Sequence, residues 1–318
     1  MKKILVAMTG GTIGCYSDNG IISLKKNNCR AVELFQEKFP ESADFEIVQP
    51  LNILSENLDK SHWETLVNFL YETDISSYDG IIITHGSDTL SYTSAMLSIC
   101  LRHFEIPVVI TAANYIPDDT RSNAVENIRS AVSMINEFAH GIFTVYKNHG
   151  DDFTTVYLSS DITEADRFLG KFSSFTGMPF GKVIDGIFTK ISSDVPEIAP
   201  PVFNRNLSLK NDVLMIHPYP SMLYSAITIP ESVKAVLQVT YHSCTAKTIG
   251  NENALDFLKI CQTKNIPFYM TAVKDSSVYE TSNILFQSGA IPIYNMSNEM
   301  SFCKLLLESG GLRVESGV

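Results

Sequence analysis

Three short segments combine hydroxyl, carboxylate and glycine in patterns suited to acyl transfer. The first is Thr9-Gly10-Gly11-Thr12-Ile13-Gly14. Its glycines let the backbone bend sharply and bring N–H groups close to a ligand, with the Thr12 hydroxyl inside the bend. The second is Thr84-His85-Gly86-Ser87-Asp88-Thr89. A hydroxyl beside a carboxylate at the opening of a helix can hold a nucleophile or a water against a polarised carbonyl. The third is Leu54-Ser55-Glu56-Asn57-Leu58, with Trp63 close behind. Each has a plainer reading when taken alone: a tight turn, a helix N-cap at Ser87 or Asp88, and a capped loop. The first also approaches the dinucleotide fingerprint GxGxxG, with Glu33 downstream for a ribose. Thr9 stands at the first glycine of that pattern, however, and no helical apolar period follows Gly14.

Such segments need a scaffold, and the apolar pattern supplies one. In the first half, strands are expected at 4–8, 45–48, 80–84, 108–111 and 141–146. Helices are expected at about 61–74, 89–103 and 121–138, the last with Val125, Ile128, Val132 and Ile135 at helical spacing. Strands rich in Val and Ile alternating with helices imply right-handed βα units around a mostly parallel sheet. Ligands of such sheets sit at the carboxyl ends of the strands. Residues 191–212 break the pattern with Pro, Asn, Ser and Asp and read as a linker. Strands then resume at 213–216, 233–240, 267–271 and 291–294, between helices at 252–264, 280–288 and 298–307. The expected fold is α/β, with a larger N-terminal domain (1–190) and a smaller C-terminal one (213–318).

Composition agrees with two folded domains. The chain has 318 residues, 45% hydrophobic and 19% charged, which is ordinary globular usage. A net charge of −11 counts against nucleic acid as a partner, because neutralising phosphates needs a basic face. The six cysteines are dispersed, without metal-ligand or disulfide spacing, which fits reduced thiols in the cytoplasm. No apolar run approaches the roughly 20 residues of a membrane helix, and the run after Lys3 is too short for a signal peptide. A soluble cytoplasmic protein without a membrane partner is therefore expected. The seven histidines show no ligand spacing, so no metal is expected. His85 is expected to pack or hydrogen-bond beneath its strand end.

Together the segments resemble the bacterial-type asparaginase/glutaminase family. TGGTIG at 9–14 looks like its first signature and DGIIITHGSDT at 79–89 like its second. SENL at 55–58 stands in the place of its substrate-holding loop. The likeness extends to PVVIT at 107–111, VTYHSCT at 239–245 and GAIPIYNMS at 289–297. It implies hydrolysis of the side-chain amide of asparagine, or of a close analogue, to a carboxylate and ammonia through a threonine acyl-enzyme. Thr12 would be the nucleophile, and Ser87 stands where the family has a second catalytic threonine. Asp88, assisted by Glu56, would hold the substrate's α-ammonium group. Ser55 and nearby backbone N–H groups would take its α-carboxylate, with Gly11 also counted among the substrate-binding residues. Backbone N–H groups near Gly11 and Ser87 would face the tetrahedral oxyanion. No metal or organic cofactor is implied. The resemblance also implies a homo-oligomer, a dimer or a dimer of dimers, whose site is completed by the neighbour's small domain. Ser243 and Thr245 are the candidates for that contribution.

Beyond Ser87, the pattern departs from the family in three places. Glu164 falls where the family has a lysine working with the second threonine, which reverses the charge and puts a second carboxylate near Asp88. Lys171 lies seven residues further on. Ile21 falls near the position of a loop tyrosine, with Tyr16 as the nearby phenol. Thr111-Ala112-Ala113-Asn114 differs from the usual segment. Loss of a general acid–base partner typically costs about 10²–10⁴-fold in rate. Three readings follow: an asparaginase-like enzyme, weakened or altered by Glu164; an amidase for a different small amide; or a catalytically weak amino-acid binder. Asparagine and glutamine stay open, since one methylene in a pocket is worth only about 1–3 kcal/mol.

Overall fold

The computed structural model describes residues 1–196, 198–203, 206–274 and 278–314. Glu197, Asn204 and Arg205 of the expected linker, and residues 275–277 and 315–318 of the expected C-terminal domain, lie outside the described residues. The chain divides into two compact units, one to Leu207 and the other from Ser208. That boundary falls inside the 191–212 stretch. Much of the stretch before it is hydrogen-bonded to the first unit: Ala199 N–H donates to Arg102 O at 3.0 Å, and Leu207 N–H donates to Asn68 Oδ1 at 2.6 Å.

The first unit contains, in chain order, β1 (Lys2–Met8), β2 (Cys15–Asp18), β3 (Ile21–Leu24), α1 (Arg30–Lys38), β4 (Ala43–Val48) and α2 (Lys60–Glu72). Then come β5 (Gly80–Thr84), α3 (Leu90–Cys100), β6 (Pro107–Thr111), α4 (Ala124–Glu137) and β7 (Gly141–Tyr146). It ends with β8 (Thr154–Leu158), β9 (Ile162–Thr163), β10 (Ser173–Ser174), β11 (Gly181–Ile184) and β12 (Ile187–Lys190). One eight-stranded sheet runs β12-β11-β8-β7-β6-β5-β1-β4. The five strands from β4 to β7 are parallel, and β8, β11 and β12 extend the sheet antiparallel.

Every residue of β5 and β6 is buried. Their near-continuous β-branched runs suit strands covered by helices on both faces. On α4, Ala124, Ile128, Ala131, Val132 and Ile135 form one buried stripe. That stripe shares a core with Ile4, Val6, Ile82 and Val109 of the sheet. The chain passes from β1 through α1 to β4 on one side, then returns to place β5 on the other side of β1. Strand order therefore reverses at β1, and a crevice opens at the carboxyl ends of β1 and β5.

Several elements lie outside the pattern read from sequence. The β2–β3 hairpin is mostly exposed and so shows no apolar alternation. Its signal was the turn Asn19-Gly20, where φ of 48° and 82° makes the tight loop that matches strand twist. This hairpin, rather than a helix, follows the first glycine turn, and that removes the dinucleotide alternative. Glu33 instead joins an exposed ion pair with Arg30.

The second unit comprises β13 (Asp212–Ile216), β14 (Val233–Gln238), α5 (Ala254–Thr263), β15 (Phe268–Val273), α6 (Glu280–Gln287), β16 (Ile291–Tyr294) and α7 (Asn298–Ser309). Its four strands are parallel in chain order. Val236, Phe257, Phe268 and Leu285 are among its core residues. Among the described residues no helix is long and apolar enough to cross a membrane.

Beneath the end of β5, His85 is buried at 1% exposure. Its Nδ1 lies 2.8 Å from Gly86 O and its Nε2 lies 3.0 Å from Thr93 Oγ1. Trp63 Nε1 donates to the same Thr93 oxygen at 3.0 Å. Burial pushes the imidazole down to about 4, against about 6.5 in the unfolded chain. A depressed imidazole contributes stability that is complete above about pH 6.5 and is lost as pH falls through about 4. The expected loss is about 3 kcal/mol. Urea unfolding of wild type and His85→Asn between pH 7 and pH 4 should show their stability difference shrinking by that amount. A constant difference would show that the imidazole is not held neutral.

Candidate active site

The loops that follow β1, β4 and β5 meet because the sheet's hydrogen bonding continues beyond the strands. Gly10 and Ile53 form an isolated parallel bridge. Gly11 N–H donates to Ile53 O at 2.9 Å, and Ile53 N–H donates to Thr9 O at 3.0 Å. Thr9 donates from both its N–H (3.0 Å) and its hydroxyl (2.8 Å) to Thr84 O. His85 N–H reaches Thr111 O at 2.8 Å. In this ladder Gly11's own N–H is spent on Ile53 O.

The glycines allow a contact that side chains would prevent. Gly11 has φ of 71°, and a Cβ there would lie 2.7 Å from His85 C. A Cβ on Gly86 would lie 2.6 Å from Ser55 Cβ. Gly11, Gly86 and Ser55 therefore stack closely at this point. Thr89 Oγ1 donates to Ser55 O at 3.0 Å and ties the second signature to the 55–58 loop. Ser55 is buried at 4% exposure, whereas Glu56 is exposed.

Thr12 opens a single 3₁₀ turn, Thr12–Gly14, immediately after Gly11. It is half-buried. The turn is braced by Gly14 N–H on Gly11 O (2.9 Å) and by Asn28 Nδ2 on Gly14 O (3.0 Å). The Cys15 thiol beside it is pushed up by burial and, less strongly, by the charge of Glu56. Ile21 and Tyr16, the residues near the expected loop-tyrosine position, stand exposed on the hairpin.

Ser87 and Asp88 line a cavity of about 670 Å³. Asn114, Tyr115, Tyr146 and His149 form another part of its wall, and residues 164–170 complete it. Two asparagines of α4 and its N-cap hold the middle part. Asn127 donates to Ala112 O at 2.9 Å and accepts from Lys147 N–H at 2.8 Å. Asn123 and Asn114 exchange backbone-to-side-chain bonds at 2.9 and 3.1 Å. The remaining wall is a tight turn in which Asp166 Oδ1 accepts from Phe168 N–H and Leu169 N–H, each at 2.9 Å. Those donors hold the Asp166 carboxyl below the usual carboxylate range.

Glu164 is exposed and lines the same cavity as Ser87 and Asp88. Lys171 is not part of that lining, and its ammonium lies 3.3 Å from Asp151 Oδ1. Gly11, Thr12, Ser55 and Glu56 do not line the cavity either; Gly11 and Ser55 pack against Gly86, the residue before Ser87. Among the described residues, no protein group occupies the Ser87 N–H or hydroxyl. Ser243 and Thr245, both half-buried, lie in a turn of the second unit after β14. That turn is closed by Tyr241 N–H on Thr245 O at 2.9 Å, with Cys244 at φ of 60°.

Sequence reading missed Tyr115, Tyr146, His149 and the 166–170 turn; Tyr146 ends β7, and the others reach the cavity from the loops after β6, β7 and β9. The spacing Asp166…Gly170 was the one local turn signal for them. Among the described residues no group of three or more His, Cys, Asp or Glu side chains is placed to hold a metal ion.

The chain is similar to known proteins over most of its length. The chain is 27% identical over 335 aligned positions to a glutamyl-tRNA(Gln) amidotransferase component of Methanococcus maripaludis (strain C7), covering 99% of this chain and 78% of that protein. It is 32% identical over 144 residues to an L-asparaginase of Thermococcus kodakarensis, covering 45% of this chain and 44% of that protein. The solved structure of the thermostable L-asparaginase from Thermococcus kodakarensis has the same fold. It aligns with a TM-score of 0.79 at 24% identity, over 96% of this chain and 92% of that one. The family model described as asparaginase, N-terminal, matches residues 3–190. That span takes in the whole eight-stranded sheet and all three loops at the crevice, and the chain belongs to the asparaginase family.

Proposed function

We propose that the protein is an asparaginase-like amidohydrolase that converts the side-chain amide of asparagine or a close analogue to a carboxylate and ammonia. The observation that carries this reading is the close contact of Gly11, Gly86 and Ser55. It sets Thr12 and the Ser87–Asp88 pair on neighbouring loops at the switch point of the sheet. The Thr12 hydroxyl adds to the carboxamide carbon, and the Ser87 N–H stabilises the tetrahedral oxyanion. Ammonia leaves an acyl-enzyme, and water then releases the carboxylate and restores Thr12. Asp88 anchors the substrate's α-ammonium group by a charge-assisted hydrogen bond, with Glu56 contributing negative charge nearby. Ser55 holds the loop that takes the α-carboxylate. Glu164, lining the cavity with Ser87, takes the place of the family's lysine in proton transfer.

The same reading includes a homo-oligomer in which Ser243 and Thr245 of a neighbouring copy complete the site. All six cysteines are free, which supports a reducing compartment, the cytoplasm. No nucleic acid or membrane enters the function, and the substrate is a small amino-acid amide. A second reading, an amino-acid binder with little turnover, is favoured by one observation: Glu164 brings negative charge to the cavity where a cation would assist proton transfer. Ammonia release by the purified protein, measured beside aspartate binding by calorimetry, separates the two. Binding without ammonia from asparagine, glutamine or other small amides establishes the binder.

Thr12→Ala should fold normally and lose nearly all amide hydrolysis; turnover equal to wild type would remove Thr12 as nucleophile. Asp88→Asn keeps the size of the side chain and removes its charge. Aspartate binding by calorimetry should weaken by roughly 1.5–3 kcal/mol, the value of a hydrogen bond to a charged group, and equal affinities would contradict the anchoring role. Glu164→Lys should raise ammonia release, by up to the roughly 10²–10⁴-fold range of general acid–base catalysis. If Glu164→Ala and Glu164→Lys both match wild type in rate, Glu164 has no part in the chemistry.

A further inference from the structure

Resting on the amide-hydrolysis reading, we infer that His85 is a positioning residue: its Nδ1–H holds the Gly86 carbonyl and thereby aims the Ser87 N–H at the reacting amide. His85 touches no substrate. It is buried at 1% exposure beneath the strand end, and its only route to the chemistry is through its neighbour's backbone.

The direction of that effect follows from peptide geometry. In a planar trans peptide the carbonyl and the N–H point in opposite directions. Gly86 O is drawn to a buried imidazole nitrogen 2.8 Å away. The N–H of the same peptide, which belongs to Ser87, therefore faces away from the interior. Ser87 lines the cavity, so that N–H is presented to whatever fills it. Gly86 has no Cβ to bias the orientation of that peptide, so the hydrogen bond to its carbonyl sets it.

The tautomer of His85 is set by a chain of donors that begins on α2. The Trp63 indole has a donor and no acceptor, so Thr93 Oγ1 must accept from Trp63 Nε1 at 3.0 Å. The single Thr93 proton is then left for His85 Nε2, 3.0 Å away. With Nε2 accepting, the neutral ring carries its proton on Nδ1, and Nδ1 donates to Gly86 O. All four groups point the same way, from Trp63 through Thr93 and His85 to the peptide that presents Ser87. Reversal of any member would leave a buried donor or acceptor unpaired.

Two substitutions at His85 separate positioning from packing. His85→Asn keeps an N–H near the Nδ1 position, within reach of Gly86 O. His85→Gln places its amide near the Nε2 position, so it keeps Thr93 and abandons Gly86 O. With both variants shown to fold by thermal unfolding, His85→Gln should lose kcat by on the order of 10²-fold with KM unchanged. His85→Asn should keep most of its turnover. Trp63→Phe leaves His85 in place but frees Thr93 to reverse, and it should lower kcat by a smaller factor, again without raising KM. Equal losses in the two His85 variants, or losses confined to KM, would overturn the assignment. The Ser87 amide resonance in protein labelled with ¹⁵N-serine reads the same contrast without turnover. It should shift in His85→Gln and hold in His85→Asn, and a resonance unmoved in both overturns the role of His85. If wild type releases no ammonia from any amide, the functional reading fails, while the resonance still decides what His85 does.

Discussion

Gly11, Gly86 and Ser55 come into contact where the strand order of the sheet reverses, and most of the site's geometry depends on that contact. Three loops from β1, β4 and β5 converge there, and a single Cβ on either glycine would drive them apart. Hydrogen bonds from Thr9, Gly11 and Ile53 prolong the sheet past its strands and hold the loops in register. Precision of this kind comes from backbone closing on its neighbours, where few rotamers can relax. A crevice at such a switch point is a common ligand site of open α/β sheets, and here the same crevice carries the hydroxyls and the carboxylate.

Behind the contact lies a buried polar layer of restricted composition. Trp63, Thr93 and His85 form one donor chain from α2 through α3 to the end of β5. A buried network of this kind is stable only when each member is satisfied, and then it specifies one arrangement. Burial keeps His85 uncharged near neutral pH, so the interior behind the site contributes dipoles rather than a titrating charge. Charge is concentrated in the cavity itself, where Asp88, Glu164, Asp166 and Arg167 share the wall.

Glu164 distinguishes this chain from the pattern it resembles. The turn after it is pinned by Asp166 and closes on Lys171 through Asp166 N–H and Lys171 O at 2.9 Å. The same turn leaves the Lys171 ammonium with Asp151, away from the residues that line the cavity. A cavity built with an acid at this position suits an altered proton path, slower turnover, or binding of an amino acid. Those are the alternatives between which measurement decides.

Local sequence determined much of this protein. The apolar run at 80–84 coincides with β5, because a fully buried parallel strand is nearly continuous in Val and Ile. The glycine-rich signatures were legible because sharp turns restrict residue type more than any other backbone feature. Thr12, Ser55, Ser87 and Asp88 were singled out through the family resemblance that those signatures and the 55–58 segment carry. Exposed or very short elements escaped: the β2–β3 hairpin has no apolar face, and β9 and β10 have two residues each. Only the tertiary structure decided that Gly11's N–H is consumed by Ile53, that Glu164 rather than Lys171 reaches the cavity, and that His85 is locked between Thr93 and Gly86. Each of those outcomes depends on how separate loops and helices pack, and no local spacing encodes which group a side chain will meet there.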